Sequence, residues 1–294
     1  MSHQESFINY LKYEKRFSSH TVIAYRKDLD QFVAFCGEMV GEFDVNKVDS
    51  KLVRSWVVHL MENQLSPGSV NRKVTSVRSF YKFLMREQVA EMNPAVNIPL
   101  PKIRKKLPNF VDENSLHQLL DGGYFSDDFC GVRDKMIIYL LYGLGIRRAE
   151  LMGLKENDFD KKNFLIRVLG KRNKERIIPY PRSINGLLDS YIQIRNRQVE
   201  VSTDKLLVTE KGYPVYEKLI YRVVKNYLSK VTVLEKKSPH VLRHSYATHL
   251  MNNGADLNAV KELLGHSNLA ATQIYTHTTI EKLHHIYKQA HPRG

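Results

Sequence analysis

Six side chains from position 147 onward have types and spacings suited to handling a phosphoryl group. Arg147 and Glu150 stand three apart in GLGIRRAELMGL, after a glycine break that opens a new helix, so both fall on one face. A guanidinium fork placed there can clamp a phosphate while the carboxylate orients it, although the same pair also reads as a surface ion pair. Lys171 lies in VLGKRNKERIIP at the tip of an expected hairpin. It suits a general acid whose pKa is lowered by neighbouring cations, or else it is a solvated turn lysine. In KKSPHVLRHSYATHLMNNGADLNAVKELLGHS, Ser238 is placed to cap a helix with Pro239 first in it, and His240 and Arg243 share a face. Gly254 ends that helix, and Asp256 starts another that ends at Gly265. His266 then follows a helix C-terminus, whose dipole favours imidazolium. Tyr275 closes a short helix in NLAATQIYTHTTIEKLHHIY. A phenol of pKa about 10 is a weak nucleophile until cations and a base activate it, and alone this residue would be read as packing. Two arginines and two histidines can together neutralise a pentavalent phosphoryl transition state without a metal.

A rival reading uses His240 and His244, four apart, as zinc ligands. It lacks both the HExxH arrangement and a nearby cysteine pair. Either histidine could also be a satisfied core residue.

The elements that must position these groups fall into two stretches. The first hundred residues read as helices. In SSHTVIAYRKDLDQFVAFCG, Val22, Tyr25, Leu29, Phe32 and Val33 recur at helical spacing, with Gly37 after them. A second helix is expected over 50–63, with Val53, Val57 and Leu60 on one face. In a third, Ser66 and Pro67 supply the cap and first residue, and Val70, Val74, Val77, Tyr81 and Leu84 form the apolar stripe. Arg72, Lys73 and Arg78 lie off that stripe, as DNA-facing or simply solvated charges. Residues 93–108 hold four prolines and four basic residues, which excludes a helix and predicts an extended, basic linker. Beyond it, VDENSLHQLLDG reads as a capped helix and GVRDKMIIYLLYGLG as a buried one closed by glycine. Residues 164–169 and 175–179 read as two short strands around a turn. The expected fold is mainly α: an N-terminal helical domain over 1–92, the linker over 93–108, and a mixed α/β domain with a small antiparallel sheet over 109–294.

The charge points to a partner. The formal net charge is +14, and it is uneven: residues 1–100 carry 13 Lys and Arg against 11 Asp and Glu, the rest 32 against 20. Such a surplus suits a polyanion, nucleic acid above all, with a solubilising surface as the plain alternative. Two distant cysteines, Cys36 and Cys130, allow no disulfide framework and no CxxC metal site. A reducing, cytoplasmic setting is expected. No stretch reaches the roughly 18 apolar residues of a membrane span, and no secretory leader is visible.

Taken in order, Arg147, Lys171, His240-x-x-Arg243, His266 and Tyr275 resemble the signature of the tyrosine recombinase (phage integrase) family. GKRNKERIIP, SPHVLRHSYATHLMNNGADL, LLGHSNLAATQIYTH and the terminal HPRG are similar to the Xer-type members, and HTVIAYRKDLDQF and SVNRKVTSVRSFYKFL follow their looser N-terminal pattern. One departure is Arg172, where such sequences often carry glycine. It would stiffen the turn or, with Lys174, add a phosphate contact. The resemblance implies a C-shaped clamp on duplex DNA, made of a helical core-binding domain and a catalytic domain. Tyr275 would attack a scissile phosphate to give a 3′-phosphotyrosyl link and free a 5′-hydroxyl. Arg147 and Arg243 would hold the non-bridging oxygens with support from His240 and His266, and Lys171 would protonate the leaving oxygen. Neither metal, ATP nor other cofactor is implied. The expected assembly is a homo- or hetero-tetramer on two sites that passes through a Holliday junction, with a helix over 280–290 docked into a neighbour and a DNA translocase as a regulator. Resolution of chromosome or plasmid dimers is the expected role, because no arm-binding domain precedes residue 1. An integrase or invertase of a mobile element is built from the same parts, and a non-catalytic DNA-binding regulator is the alternative of a different class.

Overall fold

The apolar stripes read from the sequence close around two separate cores. A computed structural model describes residues 2–103, 109–170, 174–265 and 290, and divides the chain into two compact units, 1–106 and 107–294.

In the first unit, α1 (His3–Asn9) runs into a π turn at Tyr10–Glu14 and is followed by α2 (Ser19–Val40), α3 (Ser50–Glu62) and α4 (Pro67–Arg86). Asp49 caps α3 through the Leu52 N–H, and Ser66 caps α4 ahead of Pro67. The α4 stripe of Val70, Val74, Val77, Tyr81 and Leu84 is buried against Phe7, Phe32 and Trp56. Contrary to the sequence reading, Gly37 does not end α2, which continues to Val40 and stops at Gly41, where φ is +86°. A mid-helix glycine costs only about 1 kcal/mol, and the exposed turn beyond Gly37 is closed by the Gly41 N–H, which donates to the Gly37 carbonyl at 3.0 Å.

Two further expectations need correction here. Lys73 is not a surface cation: only 5% exposed, its ammonium donates to Asp28 Oδ1 at 3.1 Å and to Gln31. Asp28 also accepts from the Ser76 hydroxyl (2.8 Å) and from Arg72, which stays exposed. Lys73 therefore neutralises a buried carboxylate and is not free to meet a phosphate. The start of the proline-rich segment is likewise no free tether. Ala95 and Ile98 are buried in the first core, the Arg78 Nε donates to the Ala95 carbonyl at 3.0 Å, and Asn71 donates to the Pro101 carbonyl. Proline forbids a helix there but does not forbid packing.

The second unit is built on α6 (Phe129–Gly143), whose run from Met136 to Gly143, after Arg133, Asp134 and Lys135, is buried on every side by its neighbours. Before it comes α5 (Glu113–Asp121), capped by Asp112. After it come α7 (Arg148–Gly153), a 3₁₀ turn at Glu156–Asp158, and strands β1 (Phe159–Asp160), β2 (Leu165–Leu169) and β3 (Glu175–Pro179). Among the described residues the further helices are α8 (Ser183–Gln198), α9 (Glu217–Leu228), α10 (Pro239–Asn252) and α11 (Leu257–Leu264). Helices α7, α8, α9 and α10 all pack on α6. The sheet is antiparallel in the order β1-β2-β3, with Leu165 opposite Pro179 and Leu169 opposite Glu175. Phe164, at φ +55°, stands outside β2, and β1 was not foreseen because two residues display no periodicity. Among the described residues no helix is long and apolar enough to cross a membrane. The architecture is mainly α with one small antiparallel sheet.

Asp28→Asn should lower the stability of the first unit by about 3–5 kcal/mol, because it strands the Lys73 ammonium in the core. Adding Lys73→Met should recover most of that loss, which denaturant unfolding of the single and double variants will measure.

Candidate active site

A tight corner between α6 and α7 begins the site. Gly145 there has φ +57°, and a Cβ at that position would stand 2.3 Å from the Tyr246 ring. The corner brings Arg147 to the N-cap of α7, where its N–H donates to Glu150 Oε2 at 2.7 Å and its Nη1 to Glu150 Oε1 at 2.7 Å. Glu150 is thus both the helix's capping carboxylate and the partner of the arginine that precedes the helix. It is buried, whereas the Arg147 side chain keeps 38% of its surface exposed.

Arg176, on β3, completes this cluster and was missed in the sequence. It is 5% exposed and grips Glu150 with both arms, Nη1 to Oε1 and Nη2 to Oε2, each at 2.8 Å. Strand periodicity carried the signal: Arg176 and Ile178 share the inward face, and an arginine in register with buried isoleucine requires a carboxylate.

Arg243 enters from the second turn of α10, with Pro239 in the first position of that helix. Ser238 precedes the helix in an extended conformation, but its hydroxyl makes no capping hydrogen bond, contrary to expectation. Buried at 7% exposure, Arg243 donates to the carbonyls of Gly145 and Leu264. The three arginines converge on the end of α11. Arg176 Nε donates to the Leu263 carbonyl at 3.0 Å, Arg243 to that of Leu264, and Arg147 Nη2 to that of Gly265 at 3.0 Å. Carbonyls left open at a helix C-terminus carry the negative end of the helix dipole and suit such cations. Asp256 caps the other end of α11, and Gly265, at φ +65°, terminates it.

Electrostatics follow from this geometry. Burial raises the Glu150 carboxyl, but hydrogen bonds and charge from Arg176, then Arg147, outweigh it and hold the group at about 2. Burial, then the charges of Arg147 and Arg176, bring Arg243 down to about 10. His240 sits one turn before Arg243 on α10 and is exposed. His244 is lowered by burial and then by His240, and its Nε2 is buried with no hydrogen-bond partner. Among the described residues no three His, Cys, Asp or Glu side chains are grouped to hold a metal.

The structure therefore brings Arg147, Glu150 and Arg243 into one cluster and adds Arg176. Lys171, Arg172, His266 and Tyr275 lie outside the described residues. Lys174 is exposed, and its carbonyl accepts the Gly170 N–H at 2.7 Å to close the β2–β3 hairpin.

Comparison with known proteins agrees with this architecture. Residues 109–282 match the phage integrase family, and residues 5–88 match the phage integrase N-terminal SAM-like domain. Tyrosine recombinase XerC of Staphylococcus saprophyticus is 38% identical over 99% of this chain and 97% of its own length. Tyrosine recombinase XerC of Chlorobaculum tepidum is 36% identical over 98% and 94%. In fold, the chain is similar to the XerH site-specific recombinase bound to a palindromic difH substrate, with TM-score 0.73 and 23% identity over 96% of this chain and 82% of that one. The chain belongs to the phage integrase family and, within it, to the Xer-type tyrosine recombinases, enzymes of site-specific recombination.

Glu150→Gln should destabilise the second unit by about 3–5 kcal/mol, since it leaves two guanidiniums without their carboxylate. The folded pKa of Glu150 is depressed, so its stabilising contribution is complete above the ordinary carboxyl range and is lost as pH falls from about 4.5 towards about 2. Acid unfolding of the wild type should steepen in that window, and Glu150→Gln should lose that part of the slope.

Proposed function

We propose that this enzyme cuts and rejoins duplex DNA through a phosphotyrosyl link to Tyr275, and that its role is to resolve chromosome or plasmid dimers. The observation that carries the reading is a charge imbalance. Three guanidiniums share one cluster with a single carboxylate, Arg147 and Arg176 bonded to it and Arg243 to backbone carbonyls beside it, and an anion is the natural complement to the two charges left over. Arg147 is the member that remains partly open to solvent, with N–H groups beyond those given to Glu150 and Gly265.

In this reading Arg147 and Arg243 hold the non-bridging oxygens of a backbone phosphate, with His240 and His266 beside them. The Tyr275 phenol gives up its proton to a base as its oxygen bonds to phosphorus and the bond to the 5′-oxygen breaks, and Lys171 delivers a proton to that leaving oxygen. The phosphotyrosyl ester keeps the bond energy, so the 5′-hydroxyl of another strand can attack it without ATP. Residues 1–92 serve as the core-binding part and 109–294 as the catalytic part. Arg72, Arg78, Arg172 and Lys174 are kept as candidate phosphate contacts, and Lys73 is withdrawn. The working assembly is a homo- or hetero-tetramer on two DNA sites in the cytoplasm, passing through a Holliday junction, with a DNA translocase as a regulator. XerH, bound to its difH substrate, supports DNA as the partner by analogy of fold.

A nicked suicide substrate, built on a site selected from random duplexes by binding, tests the chemistry. Wild type should trap a covalent adduct and Tyr275→Phe should not. An adduct with the phenylalanine variant would remove Tyr275 as nucleophile. Arg147→Lys should slow adduct formation by about 100-fold or more, because an ammonium cannot reproduce the planar fork. Near-normal cleavage by that variant would take Arg147 out of the role. Affinity should fall steeply and log-linearly with salt, and a flat response would count against phosphate contacts.

A further inference from the structure

We propose that Arg176 is a positioning residue for strand cleavage: from beneath the site it fixes the Glu150 carboxylate against Arg147 and pins the Leu263 carbonyl at the end of α11. The proposal rests on the recombinase reading above and deepens it by assigning a task to a residue outside the six-residue signature.

Three observations carry it. First, Arg176 is almost wholly enclosed and all three of its guanidinium nitrogens are engaged, two with Glu150 and one with Leu263. It has little freedom to contact DNA itself. Second, both carboxylate oxygens of Glu150 are fixed by this fork, and those same oxygens receive the Arg147 N–H and Nη1. A carboxylate held in a plane by one arginine dictates the direction of the other. Third, the same side chain packs on Gly265, where an added Cβ would lie 3.1 Å from Arg176 Cδ. Arg176 thus touches both the anchor of Arg147 and the residue from which the chain continues to His266.

A structural explanation alone does not account for the arrangement. A buried ion pair is a poor source of stability, since well-packed apolar residues of similar volume usually serve as well or better. What it supplies is orientation. Misplacing a catalytic group by about 1 Å costs about 100-fold in rate.

The test uses the full chain with the nicked substrate in single turnover, from about pH 5 to about pH 8, alongside equilibrium binding to the uncut site and thermal melting. Arg176→Met should slow adduct formation about 100-fold while binding stays within about threefold. It should also add an acid limb beyond any that His240 and His266 give the wild type, because Glu150 loses its strongest partner, burial weighs more against the charged form, and the carboxyl takes a proton at higher pH. Arg176→Lys restores a charge but not the fork, so it should abolish the added acid limb while recovering only part of the rate. If the methionine variant does not fold, the lysine variant carries the test through its rate against its binding.

Cleavage at the wild-type rate by either variant would overturn the proposal. So would rate, affinity and melting temperature falling in parallel without an added acid limb, which marks a residue that only supports folding. A wild type that forms no adduct would instead overturn the recombinase reading and this proposal together, so the two failures are distinguishable.

Discussion

Two guanidiniums on one buried carboxylate form the constraint around which the second unit is organised. Unit charges of like sign about 4 Å apart repel by about 4 kcal/mol at an effective dielectric constant of about 20. Arg147 and Arg176 can be neighbours only because Glu150 lies between them and is held ionised. The carboxylate reaches that place as the third residue of a short helix whose own N-terminus it also satisfies. Helix capping, charge neutralisation and site assembly are therefore one interaction.

The second organising feature is the end of α11. Its last carbonyls receive arginines from β3, α10 and the α6–α7 corner, elements that are distant in sequence. Arg243 also donates to the Gly145 carbonyl, so it ties that corner to the helix end. A cross-linked set of this kind resists small displacements of any one member, because each guanidinium is planar and grips at least two acceptors. Rigid placement of donors before the substrate arrives is what electrostatic catalysis requires.

Much of this was legible in the sequence wherever local rules act alone. Pro67 and the α4 stripe, the α6 run, the hairpin strands and the Asp256–Gly265 helix limits are set by periodicity, caps and glycine. Glu150 and its partner Arg147 were legible from helical spacing. Lys73 and Arg176 were not read as buried, because a cation's place in the core depends on a carboxylate far away in the chain: Asp28 for one and Glu150 for the other. Gly37 misled for a different reason: a right-handed glycine is tolerated inside a helix, and the left-handed stop falls four residues later at Gly41. The tyrosine nucleophile and the second histidine rest on family resemblance, which no spacing rule could replace.

The crowding at Gly145 reaches beyond the present sequence. Its left-handed backbone disfavours any side chain, and the Tyr246 ring independently fills the volume that one would need. Position 145 is thus barred twice to all other amino acids, so an exchange there demands simultaneous change at 246 and in the chain's course. Drift in this lineage has to pass around that corner, and a recombinase engineered from this scaffold inherits the same fixed point.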